Sequence, residues 1–201
     1  MKLFHIQLVC AIVIMGIIYY HTQHTYTLDR ICTSDNILSD AEYDMVVHET
    51  NKLHHQLVNE STNTELLIRK KVEITKDSLL YHIFHGQSFI DKLNAILGIK
   101  LEPSPIRTLE YRTYDIGGHM EWHVDARVTT KQSAQIEVVY TIENTSDSTI
   151  VWRENDRNIE HTIMTTPNSV SITQGDSVFH KVTPVTYGKR SIIKASYEII
   201  S

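Results

Sequence analysis

The sequence has few of the residues that mark fibrous, disulfide-linked or disordered chains. Its 201 residues include 7 Gly, 4 Pro and 2 Cys, which argues against a collagen-like repeat, a disulfide framework and a Pro/Gly-rich disordered chain. Basic residues are also outnumbered, since 19 Lys and Arg stand against 24 Asp and Glu. The formal net charge is -5, whereas proteins that bind nucleic acids have an excess of basic residues that neutralises phosphates. We therefore expect no nucleic-acid partner. The hydrophobic content of 41% is typical of a folded domain.

One long apolar run lies near the N-terminus. The segment "LVCAIVIMGIIYY", residues 8–20, is apolar throughout, and extending it back to residue 3 gives 18 residues with only two polar side chains. This length just reaches the span of a bilayer, and no small-x-small cleavage site follows. We expect a single-pass membrane anchor over residues 3–20, with the folded domain lumenal or extracytoplasmic, where Asn59 and Asn144 would be glycosylation acceptors. A cleaved signal peptide and a buried core helix are the alternatives.

The first half of the chain has the apolar spacing of helices. Ser39 and Glu42 form a capping-box pattern before residues spaced three and four apart, and Gly98 is placed to end a second such run. The predicted elements, in order, are a polar linker over 21–38, a helix over 40–59, a strand over 65–74 and a helix over 77–97.

The second half is rich in β-branched and aromatic residues, with turn signals between short segments. The predicted strands are 106–114, 135–143, 149–153, 159–164, 169–173, 177–183 and 190–200. Short strands at this spacing predict an antiparallel sandwich or barrel. The two helices would cover one face of its larger sheet.

The stretch "GGHMEWHVD", residues 117–125, contains two overlapping candidate ligand pairs. His119 precedes Glu121 by two positions, and His123 precedes Asp125 in the same way. On a strand, residues i and i+2 point to one face, so either pair offers a nitrogen and an oxygen to one divalent metal. A chain with 12 His contains such a pair readily by chance, and strand periodicity does not separate the two.

The segment "GDSVFHKVTPVTYGKRSIIKASY", residues 175–197, supplies a third ligand and a cation. A hairpin centred on Val185 would make His180 and Arg190 cross-strand partners. Two imidazoles and a carboxylate form a face that binds Fe(II) and leaves other positions open. An arginine beside it suits the far carboxylate of a chelating acid.

Residues 105–201 resemble the Fe(II)/2-oxoglutarate-dependent oxygenases of the prolyl 4-hydroxylase type, including versions in large DNA viruses and microbes. The resemblance rests on Tyr114-x-x-Gly117, His123-x-Asp125 and His180-x-Val182-x-Pro184-Val185-x-x-Gly188-x-Arg190. It implies that the metal ligands are His123, Asp125 and His180, and that 2-oxoglutarate is bound by Arg190 and Tyr114.

The resemblance implies an α+β fold whose core is a double-stranded β-helix, the jelly-roll form of an antiparallel sandwich. The expected organisation is an anchor or signal with its linker over 1–27, a helical support region over 28–104 and an oxygenase domain over 105–201. The implied activity is hydroxylation of a C–H bond, with Fe(II) as cofactor, 2-oxoglutarate and O2 as co-substrates and ascorbate as reductant. A protein or peptide substrate, such as a prolyl or lysyl side chain, is expected. A cupin-like metal-binding module and a catalytically degenerate membrane-anchored scaffold are the alternatives.

Overall fold

The computed structural model of the chain describes residues 27–60, 67–129, 134–154 and 159–200. The first helix, α1 (Asp40–Leu53), begins with the predicted capping box: the Ser39 hydroxyl accepts from the Glu42 N–H, and the Glu42 carboxylate accepts from the Ser39 N–H at 2.9 Å. The helix ends earlier than predicted. A 3-10 turn over His54–Gln56 follows, and Val58–Asn59 then pairs with a strand of the sheet, which requires extended backbone.

The predicted second helix is two helices, so the prediction of one continuous element was wrong. They are α2 (Leu79–Phe84) and α3 (Gln87–Leu97), and Gly86 lies at the break. A Cβ added at Gly86 would lie 2.4 Å from the carbonyl oxygen of His82, so only glycine fits this turn without a shift of the backbone. Gly98 ends α3 in the left-handed conformation, as predicted.

The seven strands predicted after residue 105 lie where the sequence places them, to within about three residues at each end, and β7 (His119–His123) is an additional strand. In chain order the strands are β1 Cys32–Ser34, β2 Val58–Asn59, β3 Leu67–Ile68, β4 Lys70–Ile74, β5 Leu101–Pro103, β6 Leu109–Tyr114, β7 His119–His123, β8 Gln135–Asn144, β9 Ile150–Arg153, β10 Glu160–Ile163, β11 Ser169–Gln174, β12 Phe179–Val182 and β13 Arg190–Ile199.

The strands form two antiparallel sheets that face each other. The major sheet has the order β1-β11-β8-β13-β6-β4-β2, with β5 also paired to β13, and the minor sheet has the order β10-β9-β12-β7-β3. The predicted strand over 65–74 is divided between them, since β3 pairs with β7 and β4 pairs with β6. Arg69 lies at the point where the chain crosses from one sheet to the other.

The two faces of the major sheet differ in polarity. Alternate residues of β8 and β13, such as Val138, Tyr140 and Ile193, join a fully buried apolar core with the helices. The residues between them face the minor sheet and include Glu137 and Arg190, which are 1% exposed each. Burial of apolar area on the helix side stabilises the fold. The charged layer between the sheets contributes no comparable hydrophobic stabilisation, which points to a function.

The segment over 28–38 is not the predicted linker. Leu28, Ile31 and Leu38 are buried, and β1 pairs with β11 through Cys32 and Ile172. This part of the segment therefore forms an edge of the major sheet. Its few apolar residues follow no regular alternation, so the sequence pattern did not predict a strand here.

The predicted anchor over residues 3–20 lies outside the described residues. Within the described ranges, no helix combines the length and the apolar character needed to cross a bilayer.

Candidate metal centre and co-substrate pocket

Three predicted ligands lie together between the sheets. His123 ends β7, Asp125 follows two residues later, and His180 lies on β12 directly opposite His123. One ligand atom from each residue lies within 4.8 Å of the others, and the two imidazole rings are 4.2 Å apart between centroids. This set can converge on one small cation.

Both imidazoles are oriented by backbone carbonyls. The Nδ1 of His123 lies 2.7 Å from the Glu121 oxygen, and the Nδ1 of His180 lies 2.9 Å from the Val178 oxygen. A carbonyl only accepts, so each Nδ1 carries the proton and each Nε2 keeps a free lone pair. Burial, followed by the proximity of His180, lowers the pKa of His123 to about 4, so the ring is neutral and able to bind a metal at pH 7.

Asp125 is held in its ionised form. Its side chain is only 13% exposed, and the Lys194 ammonium donates to its Oδ1 at 2.6 Å. Burial is the largest effect and alone would raise the pKa of Asp125, but the charge and hydrogen bond of Lys194 and the two neighbouring imidazoles together outweigh it and hold that pKa well below its usual range. The other oxygen, Oδ2, lies 3.7 Å from the His180 Nε2.

A β-bulge distinguishes the two overlapping pairs. His180 pairs with His123 and Val182 pairs with Met120, so two steps along β12 face three steps along β7. The extra residue reverses the alternation, so that Met120 and His123 both line the cavity. The side chain of Glu121 is 48% exposed and lies 3.9 Å from His119, outside that cavity. Simple alternation placed all four candidates on one face, because it assumes an unbroken ladder.

Arg190 opens β13 and faces the ligand cluster across the cavity. Its guanidinium is 1% exposed, yet Nε and Nη1 have no hydrogen-bond partner among the described residues. A buried charge without a counter-ion costs several kcal/mol, and native structures satisfy such donors. Unpartnered N–H groups on a buried guanidinium fit the oxygens of a carboxylate that enters the cavity.

The cross-strand pairing predicted for His180 and Arg190 was wrong. β12 pairs with β7 and β9 in the minor sheet, whereas Arg190 pairs with Tyr114 and Asn144 in the major sheet. The segment over 183–189 crosses between the sheets instead of forming a hairpin. Gly188 has φ +69, and a Cβ there would lie 2.3 Å from the Thr145 oxygen, so this crossing requires glycine.

Tyr114 lies beside Arg190 and points its hydroxyl at a second buried arginine. Its side chain is 2% exposed, the Arg190 Cζ lies 5.7 Å from its ring centroid, and its hydroxyl accepts from the Arg69 Nη1 at 3.1 Å. Since Arg69 occupies a lone pair, the hydroxyl proton remains able to donate. Burial alone would raise the pKa of Tyr114. The positive charges of Arg69, Arg112 and Arg190 together have the larger effect, so this pKa lies below its usual value.

Arg69 and Lys194 are two residues of the site that were not predicted from the sequence. Arg69 belongs to the charged run "RKK", and nothing local distinguishes it from the exposed Lys70 beside it. Lys194 had a usable signal, because a lysine at an inward position of a buried strand must find a buried partner.

These groups line one cavity between the sheets. Its walls include the three candidate ligands at one end and Arg190 at the other, with Arg69, Arg112 and Lys194 adding positive charge. Arg112 is neutralised by Glu110 at 2.7 Å, and Arg69 is neutralised by Glu60. Among the described residues, Arg190 therefore has no carboxylate partner, unlike the other cations that line the cavity. This favours a ligand with two negative groups, one for Arg190 and one for the metal site.

Comparisons with known proteins find the same architecture. No protein-family model matches the sequence, and no curated protein matches it. Solved structures do: a prolyl hydroxylase from Trichoplax adhaerens, in complex with a hypoxia inducible factor peptide fragment, has a TM-score of 0.67 and 15% identity over 85% of this chain and 84% of that one. The viral collagen prolyl hydroxylase of Paramecium Bursaria Chlorella virus-1, in a 2OG complex, has a TM-score of 0.58 and 11% identity over 85% and 96% of the two chains.

This is the fold of the 2-oxoglutarate-dependent oxygenases. A third structure, the alpha ketoglutarate dependent epimerase SnoN from nogalamycin biosynthesis, has a TM-score of 0.68 and 10% identity over 85% of this chain and 76% of that one. The jelly-roll predicted from the sequence is thereby confirmed. Because prolyl hydroxylases and an epimerase share this fold, the reaction must be argued from the site itself.

Proposed function

We propose that this protein is an Fe(II)- and 2-oxoglutarate-dependent dioxygenase that hydroxylates a C–H bond of a protein side chain. The observation that carries the proposal is the buried Arg190, whose two unpartnered donors face a His-Asp-His cluster across one cavity. A metal site alone does not require this arginine, whereas a metal-chelating dicarboxylate does.

Each residue has a role in this proposal. His123, Asp125 and His180 hold the iron through their free Nε2 atoms and Oδ2, a ligand set suited to Fe(II). Arg190 pairs with the far carboxylate of 2-oxoglutarate, and Tyr114 donates its hydroxyl proton to the same group. When bound, the iron and its co-substrates supply the oxidation: 2-oxoglutarate and O2 become succinate and CO2, and one oxygen atom enters the substrate C–H bond. Ascorbate is the expected reductant for iron that becomes oxidised without substrate.

A peptidyl substrate, with proline as the first candidate, is supported by the prolyl hydroxylases among the structures of this fold. The Trichoplax enzyme was solved with a peptide fragment. The formal charge of -5 gives no support to a nucleic-acid substrate.

The test is release of succinate from 2-oxoglutarate by the purified full-length chain with Fe(II), ascorbate and O2, first alone and then with a library of proline- and lysine-containing peptides. We expect slow release alone and faster release with a subset of peptides. The double variant His123→Ala/His180→Ala is the control and should release none above the protein-free rate. A cupin-like module or a degenerate scaffold predicts no release from the wild type either.

We further propose that residues 3–20 anchor the protein in a membrane, with the catalytic domain on the lumenal or extracytoplasmic side. The support is the 18-residue stretch with its two polar interruptions. The full-length chain should remain with the membrane pellet after alkaline carbonate extraction. A released product that begins near residue 25 would show a cleaved signal peptide instead.

A further inference from the structure

Lys194 lines the cavity from an inward position of β13, and this position alone does not explain why the residue is a lysine. The inward residues of β13 alternate with residues buried against the helices, and Lys194 lies four residues beyond Arg190 on the inward side. Its side chain is 17% exposed and lines the cavity. A lysine here carries a desolvation penalty that a leucine would avoid, so its contacts should account for it.

Those contacts bridge two carboxylates. The Lys194 Nζ lies 2.6 Å from Asp125 Oδ1 and 3.3 Å from Glu137 Oε2. Glu137 is itself held in place: Ser196 donates to its Oε2 at 2.8 Å, and Gln135 donates to its Oε1. Glu137 thus fixes the ammonium from behind, and the ammonium fixes one oxygen of Asp125.

The two oxygens of Asp125 therefore have separate tasks. Oδ1 is bound to the ammonium, while Oδ2 lies 3.7 Å from the His180 Nε2. A carboxylate with one oxygen occupied in this way cannot easily chelate a cation through both. This matters because a two-oxygen carboxylate would occupy one of the positions opposite the protein ligands, which a chelating acid and a further substrate must share.

We infer that Lys194 is a positioning residue that restricts Asp125 to one-oxygen coordination and so keeps a metal position free for 2-oxoglutarate. The inference rests on the proposed function. It assigns the Asp125–Lys194–Glu137 chain to co-substrate binding instead of to folding alone. Two effects follow: the ammonium repels the metal ion that shares its carboxylate, and it favours the co-substrate that needs the open position.

The experiment measures both effects separately on the full-length chain. Mn(II) affinity is titrated without 2-oxoglutarate, and 2-oxoglutarate affinity is then titrated at saturating Mn(II), without O2. For Lys194→Met we expect Mn(II) to bind about tenfold more tightly or better, because a positive charge near the cation is gone. We expect 2-oxoglutarate to bind at least about tenfold more weakly, with recovery in Lys194→Arg, which restores a donor to Oδ1.

The matched control is Lys70→Met. Lys70 lies on β4 in the same sheet and makes an ion pair at 2.8 Å with Asp115, without touching Asp125, so both affinities should stay at the wild-type level. Where Lys194→Met folds poorly because Glu137 loses its cation, the double variant Lys194→Met/Glu137→Gln should show the same opposite shifts.

Equal weakening of both ligands would overturn the inference in favour of a structural role. Tighter Mn(II) with unchanged 2-oxoglutarate would also overturn it, since Lys194 would then only repel the metal. In both cases wild-type binding of Mn(II) and 2-oxoglutarate leaves the proposed function standing. A wild type that binds neither would overturn both.

Discussion

Replacing Arg190 by methionine should separate the stability of the empty protein from the binding of its co-substrate. The guanidinium is 1% exposed and two of its donors lack a partner, so the protein without ligand bears the cost of a buried, uncompensated charge. Methionine fills a similar shape without that charge. Replacing buried ionic groups by apolar ones is often neutral or stabilising by about 1–4 kcal/mol, so the empty variant should be at least as stable as the wild type.

The co-substrate should then fail to stabilise the variant. Loss of a buried, hydrogen-bonded charge pair costs about 2–5 kcal/mol, or roughly 30- to 4,000-fold in affinity. At a concentration about 100 times its Kd, a ligand adds about 2.7 kcal/mol to the free energy of unfolding, and most of this increment should disappear in Arg190→Met. Arg190→Lys should recover part of it, because a charge returns without the planar fork.

The assay is urea unfolding of the Mn(II)-loaded protein with and without 2-oxoglutarate, in the absence of O2. Arg153→Met is a suitable control, because Arg153 pairs with Glu160 at 2.6 Å and makes no contact with the cavity; its 2-oxoglutarate increment should match the wild type. The reasoning is refuted if Arg190→Met loses more than about 2 kcal/mol of stability when empty or keeps the full 2-oxoglutarate increment.

Three further predictions concern neighbouring groups. Asp125→Ala should abolish succinate release while Glu121→Ala keeps most of it, because only Asp125 reaches both imidazoles across the cavity; the reverse result would show that the other pair binds the metal. Tyr114→Phe should weaken 2-oxoglutarate by about tenfold or more, the effect of one hydrogen bond to a charged group, and should leave Mn(II) affinity unchanged; equal affinities for 2-oxoglutarate would exclude the hydroxyl from the site. Burial, with Lys76 adding to it, lowers the pKa of His85 from 6.5 to about 4. His85 therefore binds a proton near pH 6.5 in the unfolded chain but only near pH 4 in the folded protein. The free energy of unfolding should fall as the pH drops from about 6.5 to about 4. His85→Phe should reduce that slope, measured by urea unfolding at several pH values, and an unchanged slope would contradict the assignment.

The elements of the fold that depend on local patterns could be predicted from the sequence. The capping box at Ser39 acts between residues three apart, and the strands after Pro105 show in composition and turn signals. The break at Gly86 could not be predicted in the same way, because apolar spacing continues through it. The decisive contact there is between a Cβ that glycine lacks and the His82 carbonyl.

The same distinction between local patterns and long-range contacts applies to the site. Motif spacing brought His123, Asp125, His180, Arg190 and Tyr114 into one set, and the structure places all five on one cavity. Strand periodicity did not separate the overlapping pairs, because the bulge on β7 is a property of its pairing with β12.

The remaining features of the site depend on contacts between distant parts of the chain. The crossing of 183–189 between the sheets turned a predicted cross-strand pair into two groups that face each other. Arg69 reaches Tyr114 over 45 positions, and Lys194 reaches Asp125 over 69. No local pattern reports contacts of that range.

In the proposed site, one metal held by His123, Asp125 and His180 is chelated by an acid whose far end is bound to Arg190. Anaerobic addition of Fe(II) and then 2-oxoglutarate to the full-length chain tests it most directly, because chelation through the keto group and carboxylate produces a visible charge-transfer absorption that neither component shows alone. We predict that this absorption saturates at one Fe(II) and one 2-oxoglutarate per chain, and that it is absent from His123→Ala/His180→Ala. A wild-type chain that binds iron at this site but develops no such absorption would contradict the account.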